Sequence, residues 1–331
     1  MITHLEVLTF AIAALVLTAL CRGVCGRVDF DKEATMPLRA ILALLVVLHH
    51  TWVSSWLSFG TYAVSVFFFL SGYGMAKSFN SKGKKYLQGL LSRYAVKLFL
   101  PYALCVVLNL FIKAIFFRDG SEDFSVIWRE GNFYPVLPFS WYPWALLVFA
   151  MIFVCAYRFS TKGKRLLGIG AGLAAYYIAV RYCLLWHSSW YLNTWAFLVG
   201  CAYAEAEDEW TRCLLTIGRK LMLSLAVVFS LCMSGAIFFS AVPILSECGY
   251  AFLGLVVVCV LLCHPLPRWR WLCWLGTISY EIYLVHGVVL LFAPRFSSVR
   301  IMLPCMFGAT IGVAFVFHWI GDHVVNCLRR E

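Results

Sequence analysis

The chain has 331 residues, of which 63% are hydrophobic and only 13% are charged, and its mean hydropathy is +0.84. Soluble proteins contain roughly 45–50% apolar and about 25% charged residues, so a water-soluble domain of this size lacks the polar side chains to cover its surface. The formal net charge of +11 does not indicate a nucleic-acid partner, because the Lys and Arg residues lie between apolar runs and form no single patch.

The 14 cysteines are scattered through the apolar stretches. They form neither a CxxC pair nor a Cys/His cluster at zinc spacing, so the pattern favours small core side chains over a disulfide framework or a metal site.

Apolar runs of about 17–25 residues predict eleven transmembrane helices. The first lacks the basic segment of a secretory signal and is interpreted as a retained helix. The seventh is short and interrupted by polar residues, so ten spans remain the alternative. In chain order the predicted spans are 5–21, 38–56, 60–77, 97–117, 141–158, 166–185, 189–205, 220–240, 243–263, 273–293 and 301–322.

The basic residues are distributed unequally between the two sets of loops. The segments on one side hold 21 of the 27 Lys and Arg residues, and cytoplasmic loops carry such an excess. We therefore expect an all-α bundle with its N-terminus outside and its C-terminus in the cytoplasm, and anionic membrane lipids as partners of the basic loops. The basic segments are 22–39, 77–97, 158–165, 212–220, 268–270 and 329–330.

The second span carries Arg39 at its cytoplasmic end and His49 and His50 about 16 Å further along. Eleven steps of about 100° place Arg39 and His50 on one helix face, while His49 points about 80° away. Ionisable residues inside a span are functional candidates, and an imidazole can act as a general base near neutral pH. The alternative is a core histidine hydrogen-bonded to a neighbouring helix.

The tenth span contains a second polar group, with Ser279, Tyr283 and His286 spaced by four and three. This spacing predicts one polar stripe, with Glu281 on another face. His286 lies at a depth close to that of His50, so the two histidines could line one cavity. The alternative is polar contact between helices, worth about a kilocalorie per mole or less.

Two glycine-containing patterns lie inside predicted spans. Ser71 is followed by Gly72 and Gly74, which permit a kink or a close helix approach. The GIGAG stretch at 168–172 follows no predicted strand, so it favours helix packing over nucleotide binding.

Several of these patterns occur together in a fixed order. Arg39 and His50 are followed by FFFLSGYG, LFLPY, SWYPWAL, FLVG and LGTISYEIYLVH. In that order they resemble the integral-membrane acyltransferase 3 family, from about residue 36 onward. The resemblance implies a domain of ten transmembrane helices over 36–331, with 1–35 as an extra N-terminal helix and linker.

The resemblance also implies O-acylation, usually acetylation, of a glycan or another extracytoplasmic acceptor, with acyl-CoA as the cytoplasmic co-substrate and no tightly bound cofactor or metal. The family's Arg and His pair matches Arg39 and His50. Its paired arginines match Arg93 and Lys97 less well, since these stand four apart where three is usual. An acidic residue common shortly before the family's Arg is absent, with Met36 and Pro37 in that region.

The expected mechanism is acyl transfer to a hydroxyl in the membrane of a bacterial cell. Arg39 and the basic segment would hold the phosphates of acyl-CoA, and His50 would accept the hydroxyl proton or be acylated transiently. Support residues would donate hydrogen bonds or orient the acceptor, and outer aromatic residues would stack on a sugar or form an interfacial belt. The donor-binding or support set is Arg39, Ser71, Arg93, Lys97, Ser279, Tyr283 and His286, and the aromatic set is Trp141, Tyr142 and Trp144.

A transporter or flippase for a glycan or lipid-linked sugar is the competing interpretation, because intramembrane His and Arg also serve proton relays. The sequence leaves the acceptor, the acyl group and the oligomeric state open.

Overall fold

The structure is a computed structural model that describes residues 32–51, 59–116, 128–129, 132–133, 137, 139–209, 243–263 and 266–328. The predicted first and eighth spans, 5–21 and 220–240, lie outside these residues. The proposed division at residue 35 therefore remains a prediction.

The described part of the chain is almost entirely helical, as the sequence predicts. A two-residue antiparallel pairing of β1 with β2 accompanies the helices. The elements are α1 (Lys32–His49), α2 (Phe59–Lys82), α3 (Lys84–Leu87), α4 (Leu90–Phe116), β1 (Trp128–Arg129), β2 (Asn132–Phe133), α5 (Trp141–Phe159), α6 (Arg165–Ile178), α7 (Thr194–Glu205), α8 (Pro243–Cys263), α9 (Arg270–Thr277), α10 (Ser279–Val289) and α11 (Val299–Leu328).

Several helices have the length and apolar composition needed to cross a membrane. Among the described residues, four such stretches are Leu90–Phe116, Trp141–Phe159, Lys162–Cys183 and Val299–His323. A bent pair, Arg270–Thr277 followed by Ser279–Arg295, would make a fifth span. The chain is thus a multi-pass membrane protein, while the total of eleven spans and the orientation of the termini remain predictions.

The helix predicted over 273–293 is not continuous in the structure, although its two parts together have the length and composition of one span. Its two parts, α9 and α10, meet at an angle of 71°. Gly276 lies directly against the backbone of Met36 in α1, where a side chain would collide with the Met36 carbonyl. The short α9 packs on α1, and the chain then turns into α10.

Glycines also set the crossing of α2 with α7. A Cβ on Gly72 would collide with the Phe197 carbonyl, and one on Gly200 would collide with the Phe69 carbonyl. The close approach predicted for Gly72 is therefore present, whereas nothing lies within 4 Å of a Cβ on Gly74. Small residues allow such backbone contact between membrane helices.

The glycines of the GIGAG stretch lie in α6. Gly168 faces Ala156 and Gly172 faces Ile152, both of which belong to α5. This arrangement agrees with the helix-packing interpretation of the pattern.

Two buried carboxylates link neighbouring helices through polar contacts. Glu281 of α10 contacts His318 of α11, with 3.0 Å between Oε1 and Nδ1. Glu247 of α8 lies 2.6 Å from Nη1 of Arg181, in the π-helical turn Ala179–Cys183 after α6, and accepts a hydrogen bond from Tyr177. The face of α10 that carries Glu281 is thus used for packing.

Candidate active site

The two predicted histidines come together where α1 ends and α10 passes beside it. The ring centroids of His50 and His286 are 5.2 Å apart, with an interplanar angle of 29°. His50 directly follows the last residue of α1, and His286 lies near the end of α10. Residues separated by 236 positions in sequence therefore form one stacked pair.

His286 is fully buried, and its two nitrogens are used differently. Nδ1 contacts the carbonyl of Tyr283. Because a carbonyl can only accept, Nδ1 carries the proton in this contact, and Nε2 of the neutral ring is then an acceptor. Nε2 has no hydrogen-bond partner among the described residues. A buried acceptor without a partner is costly for stability, and such atoms call for a functional explanation.

Phe139 stacks on His50 and also lies close to His286. Its ring centroid is 3.9 Å from that of His50 and 5.8 Å from that of His286, so the three rings form a triangle. Its backbone adopts a φ of 60°, which is unusual for a bulky residue, and its carbonyl accepts a hydrogen bond from the Tyr283 hydroxyl. Phe139 is not among the residues predicted from the sequence, because nothing in the sequence signals this backbone conformation.

Hydroxyl groups extend this site toward α2 and α5. The rings of Tyr142 and Tyr283 are 5.4 Å apart, and the Tyr142 hydroxyl lies 3.4 Å from Ser71 Oγ. Ser71 donates to the carbonyl of Phe67 at 2.8 Å. With its proton engaged there, Ser71 can accept the proton of Tyr142.

Arg39 of α1 is close to these hydroxyl groups. Its guanidinium interacts electrostatically with Tyr142 and Tyr94. Tyr142 in turn contacts the ring of Tyr283. We call His50, His286, Phe139, Tyr142 and Tyr283 the histidine cluster.

His49 lies beside His50 and packs toward α2. Its ring is edge-on to that of His50 at a centroid distance of 4.8 Å and packs on Gly60, where an added Cβ would collide with it. His50 is the one stacked on His286, and its preference over His49 as the catalytic base stays a prediction.

Three other predicted site residues lie outside the histidine cluster. Arg93 is exposed and donates to the carbonyls of Gln88 and Tyr86 at 2.9 and 2.7 Å, so it supports the local turn between α3 and α4. Lys97 is also exposed. Ser279 is buried at the first residue of α10, two turns before His286.

The aromatic candidates divide between the site and its surroundings. Trp144 packs edge-on against Phe99 and Tyr102 of α4, with centroid distances of 4.8 and 5.8 Å. Trp141 packs against Phe68 and Trp190. Of the three predicted aromatic residues, Tyr142 alone belongs to the histidine cluster.

A second polar group lies at the opposite ends of α2 and α5. Lys77 pairs with Glu207 at 3.0 Å, and Arg165 lies 3.9 Å from Glu205. We call these four residues the ion-pair cluster. Tyr73 donates to Glu207, and Tyr157 donates to Glu205, at 2.8 and 2.7 Å.

A cavity of about 620 Å³ opens beside the ion-pair cluster. Its lining contains Lys77, Lys162 and Arg165 but also four carboxylates, among them Asp208 and Glu209. This mixed lining does not have the positive excess that a site for several phosphates needs. Within the described residues, no group of three His, Cys, Asp or Glu side chains is arranged to hold a metal ion.

The comparisons with known proteins agree with the motif order. A family model described as an acyltransferase domain, Acyl_transf_3, matches residues 38–319. No curated protein and no solved structure matches the chain. The matched range begins one residue before Arg39 and includes every member of the histidine cluster.

Proposed function

Since the chain belongs to the acyltransferase 3 family, we propose that it transfers an acyl group from cytoplasmic acyl-CoA to a hydroxyl of an extracytoplasmic glycan or lipid-linked sugar. The observation that carries this proposal is the stacked pair of His50 and His286, in which a buried Nε2 has no partner among the described residues. Such a pair provides a proton acceptor inside an apolar bundle.

The proposed reaction is a direct transfer. The acceptor hydroxyl oxygen attacks the thioester carbon, the carbon–sulfur bond breaks, and an ester forms. His50 accepts the hydroxyl proton and returns one to the departing thiolate, so the products are the ester and free CoA thiol. His286 packs against His50 and holds it beside the reacting groups.

We assign to Tyr142 the stabilisation of the negative charge that develops on the thioester oxygen, for which its hydroxyl hydrogen turns from Ser71 to that oxygen. Its hydroxyl is close to Ser71, and its ring contacts Tyr283 of the histidine cluster. A preorganised donor in a water-poor site stabilises such charge strongly. Arg39, near Tyr142, contributes positive potential on the donor side.

The positions of the two clusters suggest how the substrates reach the site. Gly60 packs on His49 at one end of α2, and Lys77 joins the ion-pair cluster 17 residues later, about 26 Å along the helix. The excess of basic residues assigns the Lys77 end to the cytoplasm. We propose that acyl-CoA enters from that side and the acceptor from the other, with acetyl as the acyl group and a bacterial inner membrane as the location.

The test uses membrane vesicles from cells that produce the protein, supplied with radiolabelled acetyl-CoA. Label in the glycan and lipid fractions measures transfer. His50→Ala is expected to abolish the protein-dependent label, while His49→Ala, the matched control, retains most of it. Undiminished transfer by a folded His50→Ala variant would falsify the role of His50. A wild-type protein that moves sugar across the membrane without using acetyl-CoA would instead be a transporter.

A further inference from the structure

Phe139 is the most exposed member of the histidine cluster. Its side chain is 43% exposed, while His286 is completely buried and His50 is half-buried. Its ring stacks on His50 at a centroid distance of 3.9 Å. One face of the His50 imidazole is therefore covered by an apolar ring that is itself partly exposed.

The position of Phe139 is fixed from two directions. It lies just before α5, and its carbonyl accepts the hydroxyl hydrogen of Tyr283 from α10. Its φ of 60° is unfavourable for a bulky residue, so the surrounding contacts must offset the conformational cost. Strained conformations of this kind are concentrated at functional sites.

From this geometry we infer that Phe139 is a positioning residue that shields His50 from water until the acceptor replaces its ring. The inference rests on the proposed function. It deepens that function by assigning to one side chain the choice between two nucleophiles, the acceptor hydroxyl and water.

The chemical reason is that a base able to activate a sugar hydroxyl can equally activate water. Water attack on the thioester carbon breaks the same carbon–sulfur bond and yields a free carboxylic acid and CoA thiol. Excluding water from an active site suppresses this side reaction. An aromatic ring is suited to the task, because a sugar can take its place against an imidazole face while single water molecules gain little there.

The vesicle assay measures this choice directly. Radiolabel from acetyl-CoA in free acetate reports hydrolysis, and label in glycan and lipid reports transfer, each after subtraction of vesicles without the protein. Phe139→Ala is expected to raise the ratio of hydrolysis to transfer several-fold. Phe139→Trp, which keeps a ring over His50, retains the wild-type ratio. Phe159→Ala is the matched control, because Phe159 is an exposed phenylalanine at the other end of α5.

A second variant keeps the test decisive. Phe139→Leu preserves apolar bulk without the ring, so it replaces Phe139→Ala if the latter does not fold, and it is expected to raise the ratio less. The double variant Phe139→Ala/His50→Ala should lose the gained hydrolysis, because that hydrolysis uses His50 as its base.

The outcomes separate the two proposals. A wild-type protein without acetyl-CoA-dependent transfer would overturn the proposed function and this inference with it. Wild-type transfer combined with an unchanged hydrolysis ratio in folded Phe139→Ala and Phe139→Leu would overturn the role of Phe139 alone. A raised ratio that persists without His50 would also overturn it, since the water would then react elsewhere.

Discussion

The histidine cluster and the ion-pair cluster lie near opposite ends of α5, where Tyr142 belongs to the first and Tyr157 contacts the second, and they differ in how their acceptors are used. In the ion-pair cluster each carboxylate lies 3.0 or 3.9 Å from a cation and accepts a tyrosine hydroxyl, and the group left without a partner among the described residues is a donor, Arg165 Nε. In the histidine cluster the acceptor His286 Nε2 has no partner among the described residues. Partnered carboxylates hold helices together, whereas an unsatisfied acceptor retains capacity for a substrate.

The strongest test of this contrast is His286→Ala. Because the variant removes the group that holds His50 in place inside the bundle, we expect acyl transfer to fall by about 10²-fold, the cost of misplacing a reacting group by about 1 Å. The radiolabel assay measures it. His323→Ala, at an exposed position of α11, is the control and should transfer normally. Near-normal transfer by folded His286→Ala would show that the contact between His50 and His286 serves packing and not catalysis.

Helices α2 and α7 cross where Gly200 contacts the Phe69 carbonyl. Gly200→Ala forces the two backbones apart, and overpacking of this kind costs about 1–3 kcal/mol of stability. Thermal unfolding in detergent should show a clear fall in the midpoint. Gly74→Ala has free space for its Cβ and should unfold at or above the wild-type midpoint. Equal midpoints for both variants would show that the crossing can relax.

Tyr283→Phe removes one hydrogen bond from the histidine cluster and leaves its rings in place. The hydroxyl that holds the Phe139 carbonyl is lost, which corresponds to about 0.5–1.5 kcal/mol. We expect transfer to fall by roughly two- to tenfold, together with a smaller rise in acetyl-CoA hydrolysis than Phe139→Ala gives. A variant with wild-type transfer and hydrolysis would indicate that Phe139 is held by its ring contacts alone.

The smallest effect is expected at the ion-pair cluster. Lys77 is 43% exposed in its side chain and pairs with Glu207, so the pair is worth about 1 kcal/mol or less. Lys77→Met and Glu207→Gln should leave transfer unchanged and shift the unfolding midpoint slightly. A double-mutant cycle between them measures the coupling directly. A large loss of transfer in either variant would show that the ion-pair cluster takes part in acyl transfer, and the contrast between the two clusters would no longer hold.

The helices were the most predictable part of the molecule. The span predicted at 243–263 coincides with α8, and the one predicted at 141–158 differs from α5 by a single residue, because length and apolar content alone decide whether a segment can cross a bilayer. The spacing of three between Tyr283 and His286 predicted that the two side chains share one helix face, and their ring centroids are 5.6 Å apart.

Two features that depend on contacts between distant segments were not predicted from the sequence. The bend between α9 and α10 lies next to Gly276, which contacts the Met36 backbone. The stacking of Phe139 on His50 requires a positive φ that no local residue pattern demands. The tertiary fold, rather than the helical period, determines both.

The length of α11 has a consequence for the lipid environment. Its apolar stretch, Val299–His323, holds 25 residues and extends about 38 Å, beyond the hydrocarbon thickness of about 30 Å. A mismatch of this size is accommodated by tilt or by extension into the headgroups, and Asp322 near its end is 67% exposed. Because His318 of α11 contacts Glu281 of α10, a change in the tilt of α11 would act on the helix that carries His286. Bilayer thickness would thereby be coupled to the position of His286.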